Sequence, residues 1–277
     1  PLFGNYFSFK IKIMIQKDHI VETIKNCLRN KFQGYHPETD NMPFHYRLLG
    51  KDRMALFSFI QSLNTTFGTS IYEPVAKELA KVNFKDVQTQ YVLGNIISQS
   101  AQGEIQKIMN YLSTGGEVDK TSETERIREV AQSGAKNKLK SVKVDLFLVS
   151  KQGQVFMFDL KTVKPNKGDF ISYKRNMLEW LAVYFYQHPQ AKAKTLISIP
   201  YNPYEPKQYE RWTMKGMLDL KEEVKVAEEF WDFLAGKGTY KTLLDCFERA
   251  GIELRPEIDK YFSKFLINPK VKPLSKS

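Results

Sequence analysis

The sequence between Val142 and Lys161 reads VKVDLFLVSKQGQVFMFDLK. Two runs rich in β-branched and aromatic residues flank a short connection that contains glycine, which is the pattern of a β-hairpin. A three-residue loop that ends at Gly153 places this glycine where such loops need a positive φ. The stretch therefore predicts two antiparallel strands joined by a tight turn.

The predicted register of this hairpin brings charged side chains together. With a loop of three residues, Ser150 faces Gln154 and Asp145 faces Asp159, and directly opposed residues have Cβ atoms about 5 Å apart. Lys161 shares a face with Asp159 because side chains alternate along a strand. Two carboxylates and one ammonium group would therefore meet within an otherwise apolar pair of strands.

This group of charges suits the hydrolysis of a phosphodiester bond. Two neighbouring carboxylates repel each other unless a cation lies between them. Mg²⁺ is a hard divalent cation that proteins hold with one or two carboxylates, together with water and substrate phosphate oxygens. Lys161 would then orient or deprotonate the attacking water, or stabilise charge on the phosphate. The alternative is that Asp145 faces solvent and Asp159 forms a surface ion pair with Lys161, and the short spacing leaves both interpretations open.

The spacing of these residues resembles the PD-(D/E)xK nuclease motif. Asp145 is followed, after thirteen intervening residues, by Asp159-Leu160-Lys161, and Val144 stands where the motif usually has Pro. Further segments resemble the TdeIII/MjaII family of type II restriction endonucleases. They are NTTFGTSIYE at 64–73, FDLKTVKPN at 158–166, YNPY at 201–204 with RWT at 211–213, and FWDFL at 230–234.

The resemblance implies both a fold and an activity. The expected fold is α/β, with a PD-(D/E)xK restriction-endonuclease-like core in which helices flank a mixed β-sheet, and with helical additions at both ends of the chain. The expected activity is that of a type II site-specific deoxyribonuclease, which makes Mg²⁺-dependent double-strand cuts at a short palindrome of the GGNCC type. Enzymes that act on palindromes are generally two-fold dimers with one active site per strand, so we expect a homodimer.

Glu73 has two alternative roles. Ser70-Ile71-Tyr72-Glu73 has the pattern of a capping box, in which Glu73 would tie down the N-terminus of a helix. Many PD-(D/E)xK enzymes have a helical glutamate at the metal site, and the resemblance implies that Glu73 joins Asp145 and Asp159 as a third acidic ligand. The sequence leaves both roles open.

Basic residues are concentrated around the proposed site. The formal net charge of the chain is +11, and residues 136–175 carry +7 of it, with ten Lys and Arg residues against three Asp residues. A cleft that binds a polyanion requires such clustering, which predicts double-stranded DNA as the partner. We expect contacts with the DNA backbone from residues on either side of the hairpin and its following loop: Lys140, Lys143, Lys164, Asn166, Lys167, Lys174 and Arg175.

An aromatic loop at residues 201–206 is the candidate for base recognition. Arginine is the commonest side chain that reads guanine in the major groove, through two hydrogen bonds. We therefore expect Asn202, Lys207 and Arg211 to contact bases. The alternative is a packed loop with Trp212 as its anchor.

The chain is predicted to have three parts within one compact domain. Residues 1–135 are mainly helical and include the helix that carries Glu73, residues 136–200 form the catalytic α/β core, and residues 201–277 hold the recognition loop and further helices. Within these parts the hydrophobic spacing predicts the following elements: a helix with breaks at 83–112, a helix at 171–187, a strand at 195–199, a helix at 217–235, and two helices at 239–250 and 256–266.

The remaining composition limits the location and the competing functions. Cys27 and Cys246 have no spacing suited to zinc or to a disulfide framework, which fits the reducing cytoplasm of a prokaryotic cell. No apolar run approaches about 18 residues, so we expect no membrane span. Met14 would serve as a natural start, and residues 1–13 therefore carry little of the interpretation.

Two other functions remain as alternatives. A structure-directed DNA nuclease, of the junction-resolvase or repair type, would use the same chemistry, although the long segment after residue 200 favours an enzyme that recognises a sequence. A non-catalytic DNA-binding module would need neither carboxylates nor lysine, and all three are present.

Overall fold

The hairpin lies inside a five-stranded mixed sheet. In this computed structural model the strand order is β1-β2-β3-β4-β5. The β1–β2 and β2–β3 pairs are antiparallel, and the β3–β4 and β4–β5 pairs are parallel. The strands are β1 (Phe84–Ser98), β2 (Lys136–Ser150), β3 (Val155–Leu160), β4 (Ala193–Ile199) and β5 (Val224–Val226). The structure describes residues 2–35, 42–161, 167–209, 214 and 216–266.

Helices flank this sheet, which confirms the predicted α/β architecture. A short π-helix (Gly68–Tyr72) joins α3 to α4. No helix in the described ranges is both long and apolar enough to cross a membrane. The helices are α1 (Leu2–Gly34), α2 (Pro43–Leu49), α3 (Lys51–Phe67), α4 (Glu73–Ala80), α5 (Gln99–Ser113), α6 (Lys120–Val130), α7 (Lys167–Gln187), α8 (Glu228–Ala235) and α9 (Thr239–Leu266).

The chain forms two compact units. One consists of residues 1–71 and 242–277, and the other of Tyr72–Lys241. In the first unit, ion pairs link α1 to α9. In one of them, Arg29 Nη2 lies 2.7 Å from Glu257 Oε1. The second unit contains the whole sheet together with α4 to α8.

The register of the β2–β3 hairpin is confirmed. Leu146 lies opposite Phe158, and Val149 lies opposite Val155. The N–H of Ser150 donates to the carbonyl of Gln154 at 2.8 Å. Gly153 has a φ of 85°, a backbone conformation that glycine adopts without the steric cost that other residues incur.

Helix α7 covers one face of the sheet as its sequence predicts. Met177, Leu178, Leu181, Ala182 and Phe185 are completely buried. Their spacing of three and four residues places them on one side of the helix. The strand that follows, β4, pairs in parallel with β3, as expected for a third strand beside the hairpin.

The prediction of a helix at 83–98 is wrong. These residues form β1, which pairs along most of its length with β2. Leu93, Ile96 and Ile97 have helical spacing, but Val87, Thr89 and Tyr91 continue a two-residue alternation that suits a strand. The cross-strand partner decides the outcome, because the Tyr91 ring stacks on Phe147 of β2 with centroids 4.1 Å apart.

Two C-terminal predictions also need correction. The segment 217–235 is not one helix, because its first half is made of turns and of β5, and only Glu228–Ala235 is helical. The two predicted helices at 239–250 and 256–266 are one continuous helix, α9, which contains Pro256. In the first case β5 pairs in parallel with β4, so tertiary pairing overrides the helical spacing.

Lys174 lies in the interior, so the prediction that it contacts DNA is wrong. It precedes Met177, Leu178 and Leu181 by three, four and seven residues, and helix periodicity therefore turns it toward the sheet. Its side chain is fully buried, and its Nζ lies 2.5 Å from Glu123 Oε2 and 2.9 Å from Glu223 Oε2.

Lys120 completes a buried quartet of two lysines and two glutamates. Its Nζ lies 2.9 Å from Glu223 Oε1 and donates to Thr195 Oγ1 at 2.8 Å. We call Lys120, Glu123, Lys174 and Glu223 the buried quartet. The two positive charges balance the two negative charges, which is the condition for keeping charges out of water.

Removal of one member of the buried quartet should strongly destabilise the fold. We expect Lys174→Met to lower the free energy of unfolding by about 3 to 5 kcal/mol, because two buried glutamates would then share one lysine. Lys194→Met is the control, since Lys194 pairs with Glu222 on the surface, and such pairs are worth about 0 to 1 kcal/mol. Urea unfolding would measure both, and equal losses in the two variants would contradict this account of the quartet.

Candidate active site

The open end of the β2–β3 hairpin holds two facing carboxyl groups. The pairing of Leu146 with Phe158 continues by one step to Asp145 and Asp159, whose side chains therefore face each other across the two strands. Asp145 Oδ2 also accepts a hydrogen bond from the N–H of Leu160 at 2.8 Å, which fixes its carboxylate against β3.

Lys161 belongs to the same group of side chains. Its Nζ lies 2.7 Å from Asp159 Oδ1. Asp159 is only 4% exposed, so this is not the surface ion pair that the sequence left open. The backbone N–H of Lys161 donates to the carbonyl of Ser198 on β4 at 2.9 Å, and its ammonium lies 4.6 Å from the centre of the Tyr173 ring. A strand and a helix thus hold the lysine in place.

The electrostatics of the site favour an added positive charge. Burial is the largest cause that raises the pKa of Asp159, to about 7; the ammonium of Lys161 lowers this pKa and the Asp145 carboxylate raises it. A carboxyl group with this pKa is partly protonated near neutral pH. When both carboxyl groups are ionised, two negative charges face the single ammonium of Lys161.

Glu73 lies beside this pair and does not cap a helix. The π-helix (Gly68–Tyr72) runs into α4, and Tyr72 makes no side-chain cap, so the predicted capping box is wrong. Glu73 is 3% exposed, and both of its carboxylate oxygens accept hydrogen bonds from Gln90 Nε2, at 2.9 and 3.1 Å. Gln90 Nε2 also lies 3.3 Å from Asp145 Oδ1. The three carboxylates therefore form a connected group.

The pKa of Glu73 reflects the same crowding of negative charge. Burial is the largest cause and raises it to about 7; the hydrogen bond from Gln90 lowers it, and the Asp145 carboxylate raises it. The sequence pattern gave no signal for Gln90, since a glutamine on a strand is usually a surface residue. The pairing of β1 with β2 identifies Gln90 as a site residue. Thr89 lies opposite Leu146 and Tyr91 opposite Val144, which places Gln90 opposite Asp145.

The donor set fits a hard divalent cation. Within the described residues no three His, Cys, Asp or Glu side chains are arranged to hold a metal ion by themselves. Mg²⁺ needs fewer protein ligands than three, because one or two carboxylates suffice when water and substrate phosphate oxygens supply the remaining ligands. Asp145 and Asp159 provide those two carboxylates, and Glu73 is linked to Asp145 through the Gln90 amide.

The predicted contacts with the DNA backbone have different surroundings. Lys140 and Lys143 are exposed on β2, which leaves them open to a phosphate. Arg175 donates from Nη2 to Gln106 Oε1 at 3.0 Å. Lys167 is the first residue of α7, but its side chain lies outside the described part of the structure, as do Lys164 and Asn166.

The loop proposed for base recognition is organised by Asn202. Its Nδ2 donates to the carbonyl of Lys207 at 2.6 Å, and its Oδ1 accepts from the N–H of Tyr204 at 3.0 Å. These bonds hold the loop together locally, and the alternative of a loop packed on Trp212 stays a prediction. Lys207 is exposed, whereas Arg211 and Trp212 lie outside the described residues.

Comparison with known proteins gives a consistent result. Residues 14–251 match the family model described as type II restriction endonuclease, HinfI. The type II restriction enzyme HgiCII of Herpetosiphon aurantiacus is 25% identical over 227 residues, which cover 80% of this chain and 81% of that protein. MjaII of Methanocaldococcus jannaschii is 29% identical over 259 residues, covering 81% and 67%. HgiEI of Herpetosiphon aurantiacus is 23% identical over 223 residues, covering 79% and 80%. The resemblance inferred from the sequence segments is confirmed.

Proposed function

The chain belongs to the HinfI family of type II restriction endonucleases, and from this membership we propose that it makes Mg²⁺-dependent double-strand cuts in DNA at a short palindrome of the GGNCC type. Such an enzyme is a site-specific deoxyribonuclease. The observation that carries the proposal is the facing pair Asp145 and Asp159, with Lys161 Nζ 2.7 Å from Asp159. The sequence segments that resemble the TdeIII/MjaII family support the type of palindrome.

Each side chain of the site has a distinct task in this proposal. Asp145 and Asp159 would hold Mg²⁺, with Glu73 as a further acidic group, and the ion when bound supplies Lewis-acid stabilisation of charge on the phosphate. Asp159 orients the Lys161 ammonium through their ion pair. Lys161 can then donate a hydrogen bond to a phosphate oxygen or position the attacking water.

Basic residues outside the site would position the duplex. Lys143 is exposed and shares a face of β2 with Asp145, so a phosphate that it binds would be held close to the carboxylates. Lys140 is also exposed but lies farther along the strand, where it would contact a more distant phosphate. Arg175, Lys164, Asn166 and Lys167 follow the catalytic lysine in sequence and are proposed as further backbone contacts. Base recognition is proposed for the loop at 201–211, with Lys207, Arg211 and Asn202 as its polar side chains.

A plasmid digest tests the proposed function directly. We expect Mg²⁺ to give discrete fragments and EDTA to abolish cutting, because hydrolysis needs the cation between the carboxylates. Lys161→Ala should lower the cleavage rate about 10²- to 10⁴-fold, the range for a positioned acid–base group. Lys151→Ala is the matched control, since Lys151 lies in the turn at the other end of the same hairpin and should leave the rate unchanged.

Three results of this digest would contradict the proposal. One is a smear instead of bands, and another is selective cutting of branched DNA, which would indicate a structure-directed nuclease. The third is undiminished cutting by Asp159→Ala. Loss of cutting with retained DNA binding in Asp159→Ala is the result that supports catalysis and excludes a simple binding module.

We further propose that the enzyme is a homodimer and that α2 and α3 supply the interface. Helix α2 has no buried residue, although Phe44 and Leu48 are each 82% exposed. Leu56, Phe57 and Ile60 on α3 are also exposed. With roughly 200 Å² for an aromatic side chain, these residues together expose roughly 600 Å² of mainly apolar area, close to the ~800 Å² that each partner buries in a stable interface. A second copy with the same apolar helices is the occupant that fits this face.

The oligomeric state tests this surface. Light scattering should give twice the chain mass of 32.2 kDa for the wild type, and the double variant Phe44→Ser/Leu48→Ser should be monomeric because both side chains lose their apolar partner. Ile252→Ser is the control, because Ile252 is also an exposed aliphatic residue but lies on α9. A monomeric wild type, or a double variant that remains dimeric, would contradict the proposal.

A further inference from the structure

Gln90 has an unusual backbone for a strand residue. Its φ is 52°, and among the described non-glycine residues only Ala227 also has a positive φ. A non-glycine residue in the left-handed region costs on the order of 1 to 3 kcal/mol, and such strain persists only where the surroundings enforce it. The strain here occurs at the residue opposite Asp145, within the proposed active site.

The side chain of Gln90 directs one nitrogen toward three carboxylate oxygens. Nε2 lies 2.9 and 3.1 Å from the two oxygens of Glu73 and 3.3 Å from Asp145 Oδ1. The residue as a whole is exposed, although the hydrogen bonds of its amide to Glu73 are partly buried. An amide carries no net charge, and it therefore reduces the repulsion between Glu73 and Asp145 far less than a cation would.

The orientation of this amide depends on what lies between the carboxylates. The oxygen and nitrogen ends of a glutamine have nearly the same shape, and the hydrogen-bond network decides which end points inward. Carboxylate oxygens accept hydrogen bonds and favour the NH₂ end, which is the end that faces Glu73 and Asp145 here. A divalent cation would instead favour the oxygen end, because hard cations bind oxygen and the amide carbonyl of glutamine is one of their ligands.

We propose that Gln90 is a further member of the cation site and that its amide turns over when the cation binds. Without a cation its NH₂ group holds Glu73 to Asp145, and with a cation its Oε1 faces the ion. A rotation about the last side-chain torsion exchanges the two ends and needs no movement of β1. The inference rests on the proposed function only in that both require a divalent cation at Asp145.

Metal binding without DNA tests this role. Titration calorimetry and thermal unfolding with Mg²⁺ alone would compare the wild type with Gln90→Gly, which removes the side chain and also relieves the strained φ. We expect the Kd for Mg²⁺ to rise about 10- to 100-fold, the usual loss when a group that supports a metal site is removed. Gln88→Ala is the control, because Gln88 lies two residues away and bonds to Asp86 instead.

Gln90→Glu separates the oxygen of the amide from its nitrogen. It keeps an oxygen for the cation but removes the donor, so we expect Mg²⁺ affinity at least equal to that of the wild type and a lower Tm in EDTA. Weakened binding in Gln90→Glu, or unchanged binding in Gln90→Gly, would overturn the inference while wild-type cleavage of plasmid remained intact. A wild type that neither binds Mg²⁺ nor cuts DNA would instead overturn the proposed function.

Discussion

The repulsion between Asp145 and Asp159 is the constraint on which the site depends. Both carboxyl groups lie on neighbouring strands of an apolar sheet, and Asp159 is buried there with a pKa raised to about 7. A protein gains nothing in stability from two such charges. In the proposed function a cation and the Lys161 ammonium would neutralise the pair and act together on a phosphate, which gives a reason for the arrangement.

The surrounding elements keep these groups in place. The Lys161 backbone is bonded to β4 through Ser198, and α4 enters from a π-helix that brings Glu73 to the same place. Gln90, whose amide joins Glu73 to Asp145, has a strained backbone conformation. Local strain and buried charge thus occur together at one end of the hairpin, which is the distribution expected of a functional site. In the buried quartet, by contrast, two positive charges balance two negative charges.

The central hairpin could be predicted from the sequence because its rules are local. Gly153 set the turn, and strand alternation then placed Asp145 opposite Asp159. The failures involve long-range pairing: residues 84–98 have helical spacing of isoleucine and leucine, yet their pairing with β2 makes them a strand. Lys174 could have been placed correctly, since it continues the buried stripe of α7. Gln90 could not, because only the three-dimensional register of β1 against β2 brings it to the carboxylates.

The position of the bound metal tests the central claim most directly. Mn²⁺ prefers the same octahedral oxygen ligands as Mg²⁺ and is visible by anomalous scattering. In crystals soaked with Mn²⁺, we predict an anomalous peak in contact with carboxylate oxygens of both Asp145 and Asp159. A peak elsewhere, or none at this pair while the enzyme cuts DNA in the same metal, would contradict the account.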